Sequence, residues 1–83
     1  MSLTRQLSMI RFIHRNNTKG VTLAEVQFQM TVTHGMSDAW VVKHLNKWRK
    51  FGVVILSGRR YKVDEDKMKN VWKAREQEEL LFE

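Results

Sequence analysis

The sequence contains no cysteine and no proline, and it has only four glycines. Without cysteine, the chain can form no disulfide bond, no cysteine-based zinc site and no thiol nucleophile. Without proline, the ends of its helices must be set by capping side chains and by glycine. No apolar run approaches the length of a membrane span, and no signal-peptide pattern precedes the first helical segment. These absences lead us to expect an intracellular, cytoplasmic protein without a membrane partner.

No set of side chains has the spacing of a catalytic or metal site. His14, His34 and His44 fall on different predicted elements, and no two of them have the spacing of metal ligands on one helix. There is no glycine-rich phosphate loop, and the acids of the basic region are explained as helix-start residues. We therefore expect no enzymatic activity, no metal and no cofactor. His44 lies near the apolar side of its predicted helix, which favours a packed histidine over a ligand.

The basic residues are concentrated in the first three quarters of the chain. Its 83 residues carry a formal net charge of +6. Residues 1–62 hold eleven Lys or Arg against two acids, whereas residues 63–83 hold four against seven. Such a basic body favours a polyanionic partner. A membrane surface fits less well, because the lysines do not flank a strongly apolar helical face.

Helical spacing predicts two helices before residue 35. Apolar residues spaced three and four apart predict the first over residues 2–15, and a glycine-containing turn follows at residues 16–20. Thr22 and Glu25 have the spacing of a capping box, which predicts a second helix over residues 23–32. A glycine at position 35 then follows as a stop signal.

A third helix is predicted over residues 37–51, with Ser37 as its N-cap. Val41, Leu45 and Trp48 fall on one stripe and are expected to be buried. Trp40 lies at one edge, and the opposite side carries small, amide and cationic residues: Ala39, Lys43, Asn46, Lys47 and Lys50. Lysines and an amide on an open helix face suit a DNA major groove. An ordinary solvated amphipathic helix has the same pattern, so the helix alone does not decide between the two.

The segment after this helix has the pattern of a β-hairpin. Two β-favouring runs lie at residues 53–56 and 59–63, and Ser57 and Gly58 separate them. A turn at these two residues would pair Leu56 with Arg59 and put Arg59 and Arg60 at the tip. Adjacent arginines at a tip favour contact with phosphate. The alternative is a turn kept soluble by its charge.

The chain resembles the winged helix-turn-helix DNA-binding domain over residues 20–63. The resemblance depends most on the string SDAWVVKHLNKWRKFGVV followed by GRRY, which is similar to the recognition helix and wing of many bacterial and archaeal regulators. It implies base-edge contacts for four residues, namely Ser37, Ala39, Trp40 and Lys43. It also implies backbone contacts for Lys47 and Lys50, and a wing tip at Arg59 and Arg60. We further expect Asn46 to contact bases, and the helix N-termini at Thr22 and Ser37 to contact phosphate.

The last segment, residues 64–83, is predicted to be a C-terminal helix that begins with three acids. Its apolar residues have two interpretations: they close the core of the domain, or they form a homodimer interface. We expect the homodimer, because these residues would be an unusual exposed patch on a small monomer. The predicted interface consists of Met68, Val71, Trp72, Leu80 and Leu81.

Together these patterns predict a mainly helical α+β fold. Residues 1–63 would form a winged helix with a three-helix core and a hairpin wing, and residues 64–83 a closing or dimerising helix. The predicted function is sequence-specific binding of double-stranded DNA by a homodimeric transcriptional regulator without an evident small-molecule effector. One alternative is a winged-helix module that docks on proteins and does not bind DNA. Another is binding of RNA or single strands, for which Trp40 is the only credible stacking residue.

Overall fold

The computed structural model describes the backbone of residues 3–82 and the side chains of residues 3–74. Within this part of the chain there are four helices and one antiparallel hairpin of two strands. The elements in chain order are α1 (Leu3–Arg15), α2 (Leu23–His34), α3 (Asp38–Lys50), β1 (Val54–Ser57), β2 (Arg60–Val63) and α4 (Glu65–Phe82). The mainly helical α+β fold class is therefore confirmed. None of the described helices combines the length and apolar character needed to cross a bilayer.

The predicted caps set the helix ends. The Glu25 N–H donates to the Thr22 hydroxyl at 3.2 Å, and the Glu25 carboxylate accepts from the Thr22 N–H at 3.3 Å. This is the reciprocal capping box, and it begins α2 at the predicted residue. Ser37 caps α3 by accepting from the Trp40 N–H at 3.1 Å. α2 continues two residues beyond its predicted end, to His34, and Gly35 then caps it.

One apolar core joins α1, α2, α3 and the hairpin. Its buried members are Leu7, Met9, Ile10, Ile13, Val21, Val26, Met30, Val41, Leu45, Trp48, Val53, Val54 and Val63. The stripe predicted for α3, Val41, Leu45 and Trp48, is confirmed as its buried side. Each such side chain stabilises the fold by about 1.5–3 kcal/mol through burial. Met68, Val71 and Trp72 of α4 pack against the same core but remain partly exposed.

The hairpin turn lies one residue later than predicted. Ser57 pairs with Arg60 and Leu56 with Tyr61, so the turn residues are Gly58 and Arg59. Gly58 has a φ of +63°. A positive φ at the first turn position suits glycine and fits the twist of the two strands, and this explains why the prediction with Ser57 there was wrong. Each residue of β1 pairs with a β2 residue that is two positions further along the chain than predicted. Because side chains alternate between the two faces of a strand, a shift of two leaves every side chain on its expected face.

The free edge of β2 is covered by the connection between α1 and α2. Val21 and Tyr61 exchange two backbone hydrogen bonds, with the Val21 N–H donating at 3.0 Å and the Tyr61 N–H at 2.6 Å. Next to them, the side-chain amide of Asn17 donates to the Val63 carbonyl and accepts from its N–H. Val21 therefore acts as a short third strand, and Asn17 replaces one further peptide group. An edge covered in this way is not available for pairing with another chain.

A buried glutamine joins α1 to α3. Gln6 is 3% exposed, and its side-chain oxygen accepts from the Trp48 indole N–H at 3.2 Å and from the Lys47 ammonium at 2.9 Å. A buried indole N–H without an acceptor is costly, so this contact satisfies a group that the core would otherwise leave unpaired. It also fixes the rotation of α3 relative to α1.

We predict that Gln6→Met lowers the free energy of unfolding by about 1–3 kcal/mol, because methionine fills the space but leaves the Trp48 N–H without an acceptor. Gln6→Glu keeps an acceptor and adds attraction to Lys47, so its loss should be smaller. Denaturant unfolding followed by tryptophan fluorescence measures both changes. Equal stability of Gln6→Met and the wild type would show that the contact contributes nothing.

Candidate nucleic-acid interface

The outer face of α3 is an exposed helix surface that includes both cations and an amide. It lies opposite the buried stripe, and its exposed residues are Asp38, Ala39, Val42, Lys43, Asn46, Arg49 and Lys50. Three of these side chains are cationic, and Asp38 is in the first turn, where it suits the helix dipole. The second half of the face is therefore basic, with Asn46 between Lys43 and Arg49.

Four of the residues predicted for this face are exposed on it: Ala39, Lys43, Asn46 and Lys50. Lys47 is different, because it is half-buried, bonded to Gln6 and placed over the Trp48 ring at 5.1 Å. α1 covers the flank of α3 that carries Lys47, which turns this side chain toward the protein. The hydroxyls of Thr22 and Ser37 are used in capping their own helices.

Helical periodicity did not single out Val42 and Arg49. Measured around the helix axis at 100° per residue, both lie closer to the buried stripe than Lys43 does. If both flanks of the stripe were covered equally, these two residues would lie at the edge of the exposed face. Both are exposed, whereas α1 contacts the other flank of α3 through the bond between Gln6 and Lys47. The sequence of α3 alone does not indicate which of its two flanks is covered, because the covered flank is determined by the contact of α3 with α1. The exposed face is therefore centred on Val42, Asn46 and Arg49.

Trp40 and His44 form a half-buried pair on the covered flank of α3. Their ring centroids lie 4.4 Å apart, and Trp40 packs against the edge of the core. The Nδ1 atom of His44 is buried and has no hydrogen-bond partner among the described residues. The pKa of His44 is lowered, first by burial and then by the positive charges of Lys47 and Lys43. His44 therefore favours its neutral form, and Trp40 is fixed beside it.

The two arginines of the hairpin have different surroundings. Arg59 is exposed at the turn. The guanidinium of Arg60 instead folds back, donating to the Gly20 carbonyl at 3.1 Å and lying 3.8 Å from the Glu25 carboxylate. The approach is possible because residue 20 has no side chain. A Cβ atom at this position would lie only 3.0 Å from the Cβ atom of Arg60. Arg60 thus joins the hairpin to the start of α2, and Arg59 is the arginine exposed at the tip.

The residues predicted for a dimer interface are partly used within the protomer. Met68, Val71 and Trp72 are half-buried against the core, and the Arg11 guanidinium lies over the Trp72 ring at 5.7 Å. His14 and Glu65, hydrogen-bonded at 3.1 Å, connect the end of α1 to the start of α4. Leu80 and Leu81 lie outside the residues whose side chains are described.

Within the part of the chain that the structure describes, no three His, Asp or Glu side chains are grouped so that they could hold a metal ion. Comparisons of the chain with models of protein families, with characterised proteins and with solved structures found no match. The α3 face and the hairpin are therefore the features from which a function can be argued.

We predict that the pKa of His44 lies below the ordinary histidine value of 6.5. The unfolded chain then binds a proton on this residue more readily than the folded chain does. Stability should therefore fall as the pH decreases below 6.5, and His44→Gln should make that fall shallower. NMR titration of the imidazole measures the pKa directly. Lys47→Met should raise it, and a wild-type value at or above 6.5 would contradict the prediction.

Proposed function

We propose that the chain is a winged helix-turn-helix domain that binds double-stranded DNA sequence-specifically and acts as a transcriptional regulator. The order of elements supports this fold: three helices, a short turn of residues 35–37 between the second and third, then a hairpin. The pairing of Val21 with Tyr61 supports it further, because it adds a short third strand to the hairpin. In this proposal α3 enters the major groove, and the hairpin contacts the backbone or the minor groove.

The observation that supports DNA binding most strongly is the composition of the exposed α3 face, together with the burial of the opposite side of the helix. Lys43, Arg49 and Lys50 provide three positive charges around Asn46. The opposite side of the helix is anchored by Val41, Leu45 and Trp48, so the face is presented without a need for rearrangement. A preformed surface loses less conformational entropy on binding than a flexible one.

The chemistry of each exposed side chain suggests its role. Asn46 at the centre of the face can pair with an adenine edge through its amide, and Arg49 with guanine or phosphate. Ala39 and Val42 offer apolar contact to thymine methyl groups, while Lys43 and Lys50 can neutralise phosphates or contact guanine. We assign Arg59 to the backbone contact of the hairpin.

Three other residues act indirectly in this proposal. Lys47 and Trp40 hold α3 against α1 and the core, and Arg60 holds the hairpin against the start of α2. Their loss would change affinity by misplacing the α3 face and Arg59. We also propose a homodimer, because two α3 helices about one turn of DNA apart would extend the recognised sequence.

A protein-docking module is the second candidate, and one observation favours it. Phe28 is 70% exposed and Val32 is 65% exposed, one turn apart on α2. Large apolar side chains that are this exposed often mark contact surfaces for proteins. This patch does not compete with DNA binding, since it is on a different helix from the α3 face. A module that only docks on proteins would show no salt-dependent affinity for DNA.

We predict that the protein binds random-sequence duplex DNA with an affinity that falls steeply as the salt concentration increases. The reason is that Lys and Arg side chains, when they bind phosphates, release the counterions condensed on the DNA. Arg49→Ala should reduce the slope of log affinity against log salt by about one. Lys73→Ala, which removes an exposed cation from α4, is the matched control and should leave the slope unchanged. Fluorescence anisotropy with duplex and single-stranded probes measures both. Absence of duplex binding at low salt would exclude the proposed function and leave the docking module.

A further inference from the structure

An open groove of about 800 Å³ runs between the first turn of α1, the α2–α3 turn and the first half of α3. Its main lining residues are Arg5, Gln6, His34, Trp40, Lys43 and His44. A volume of this size is within the range of small-molecule sites, which is roughly 300–1,000 Å³. The groove borders the α3 face but lies on its covered flank, and it shares Lys43 with the direct DNA contacts proposed above.

The charges around the groove favour an anion. Arg5 comes from α1 and Lys43 from α3, and both side chains are exposed. None of the described residues that line the groove is acidic. Two permanent cations on different elements match a doubly charged phosphate better than a singly charged carboxylate, and the arginine fork can donate to two phosphate oxygens.

The remaining lining suits a planar ring. Trp40 is half-buried in the wall, tilted by 48° to the His44 ring, and Met36 adds an apolar contact beside it. An indole that is fixed on one side and open on the other can stack with a nucleobase. His34 cannot turn freely, because its Nε2 is hydrogen-bonded to the Ser8 hydroxyl at 3.0 Å.

One polar atom of the groove wall lacks a partner. His44 Nδ1 is buried without a hydrogen bond to any residue that the structure describes, whereas buried polar groups in proteins are nearly always satisfied. His44 lines the groove, so a ligand bound there lies beside the residue that carries this unsatisfied atom.

We propose that this groove binds a nucleotide, with the phosphate between Arg5 and Lys43 and the base on Trp40. The same chemistry is present in a free nucleoside monophosphate and in an unpaired, 5′-phosphorylated nucleotide at the end of a DNA strand. Lys43 also belongs to the α3 face, so a bound nucleotide would compete with duplex DNA. Only this competition depends on the proposed function.

The test uses the full chain and its indole N–H signals in ¹⁵N NMR, with AMP, adenosine and inorganic phosphate as separate ligands and no DNA present. AMP should shift the Trp40 signal and bind at least about tenfold more tightly than adenosine or phosphate, because it uses the cations and the ring together. Phosphate binding as tightly as AMP would overturn the proposal. So would AMP-induced shifts spread over the whole surface.

Matched variants separate the two halves of the site. Arg5→Gln should weaken AMP binding about tenfold by removing a charge-assisted hydrogen bond. Arg15→Gln, which removes an exposed arginine at the other end of α1, should leave it unchanged. Trp40→Leu should lower the affinity for AMP to that for phosphate, whereas Trp40→Phe keeps a stacking ring and most of the affinity. The amide spectra of the variants show whether each is folded, and equal AMP binding by folded Arg5→Gln and Arg15→Gln would overturn the proposal.

A second comparison identifies the source of the nucleotide. The affinity of the protein is measured for three ligands: AMP, a blunt duplex, and the same duplex with one unpaired, 5′-phosphorylated adenine at its end. Preference for the unpaired end supports a nucleotide of the strand, and preference for AMP supports a free ligand. If the protein binds the duplex but neither binds AMP nor prefers the unpaired end, the DNA-binding proposal remains intact and the nucleotide site is refuted. If the protein binds AMP but no duplex, the nucleotide site is supported and the DNA-binding proposal is refuted.

Discussion

The contact between α1 and α3 at Gln6 is the constraint on which the rest of the surface depends. A single buried oxygen accepts from both the Trp48 indole and the Lys47 ammonium. Leaving the indole unpaired would cost about 1–3 kcal/mol, a substantial part of the stability of a domain this small. The same contact places α1 beside the flank of α3 that carries Lys47, while the flank with Val42 and Arg49 is exposed. It thereby determines that Val42, Asn46 and Arg49 are at the centre of the exposed face.

The hairpin is held in place by the chain that precedes α2. Val21 pairs with Tyr61, Asn17 bonds to Val63, and Arg60 bonds to the Gly20 carbonyl. The capping box of Thr22 and Glu25 follows at once, so the position of β2 and the start of α2 are fixed together. These contacts attach the hairpin, and with it Arg59, to the start of α2, and α2 packs against α3. A rigid frame lets two separate groups of side chains contact a double helix in a fixed relative position.

Local signals in the sequence predicted much of this arrangement. The capping box, the Ser37 cap and the stripe of Val41, Leu45 and Trp48 depend on neighbours within one helix, and all were predicted correctly. The turn of the hairpin was predicted one residue early, because Ser57 and Gly58 satisfy turn composition while only Gly58 suits the positive φ of the first position. The environments of Lys47, Trp40 and Arg60 could not be predicted, since they depend on α1 and Gly20, which are distant in the chain. Arg49 was overlooked for the same reason.

The most direct test of the account is to map where duplex DNA touches the protein, by adding a short duplex to ¹⁵N-labelled protein and following the amide signals. We expect the largest shifts at Val42, Asn46 and Arg49, with a second group at Gly58 and Arg59, and little change in residues 65–74 of α4. This pattern would identify the α3 face and the hairpin tip as one interface. Shifts centred on α4 or on the exposed Phe28 and Val32 of α2, or none at all, would contradict the account.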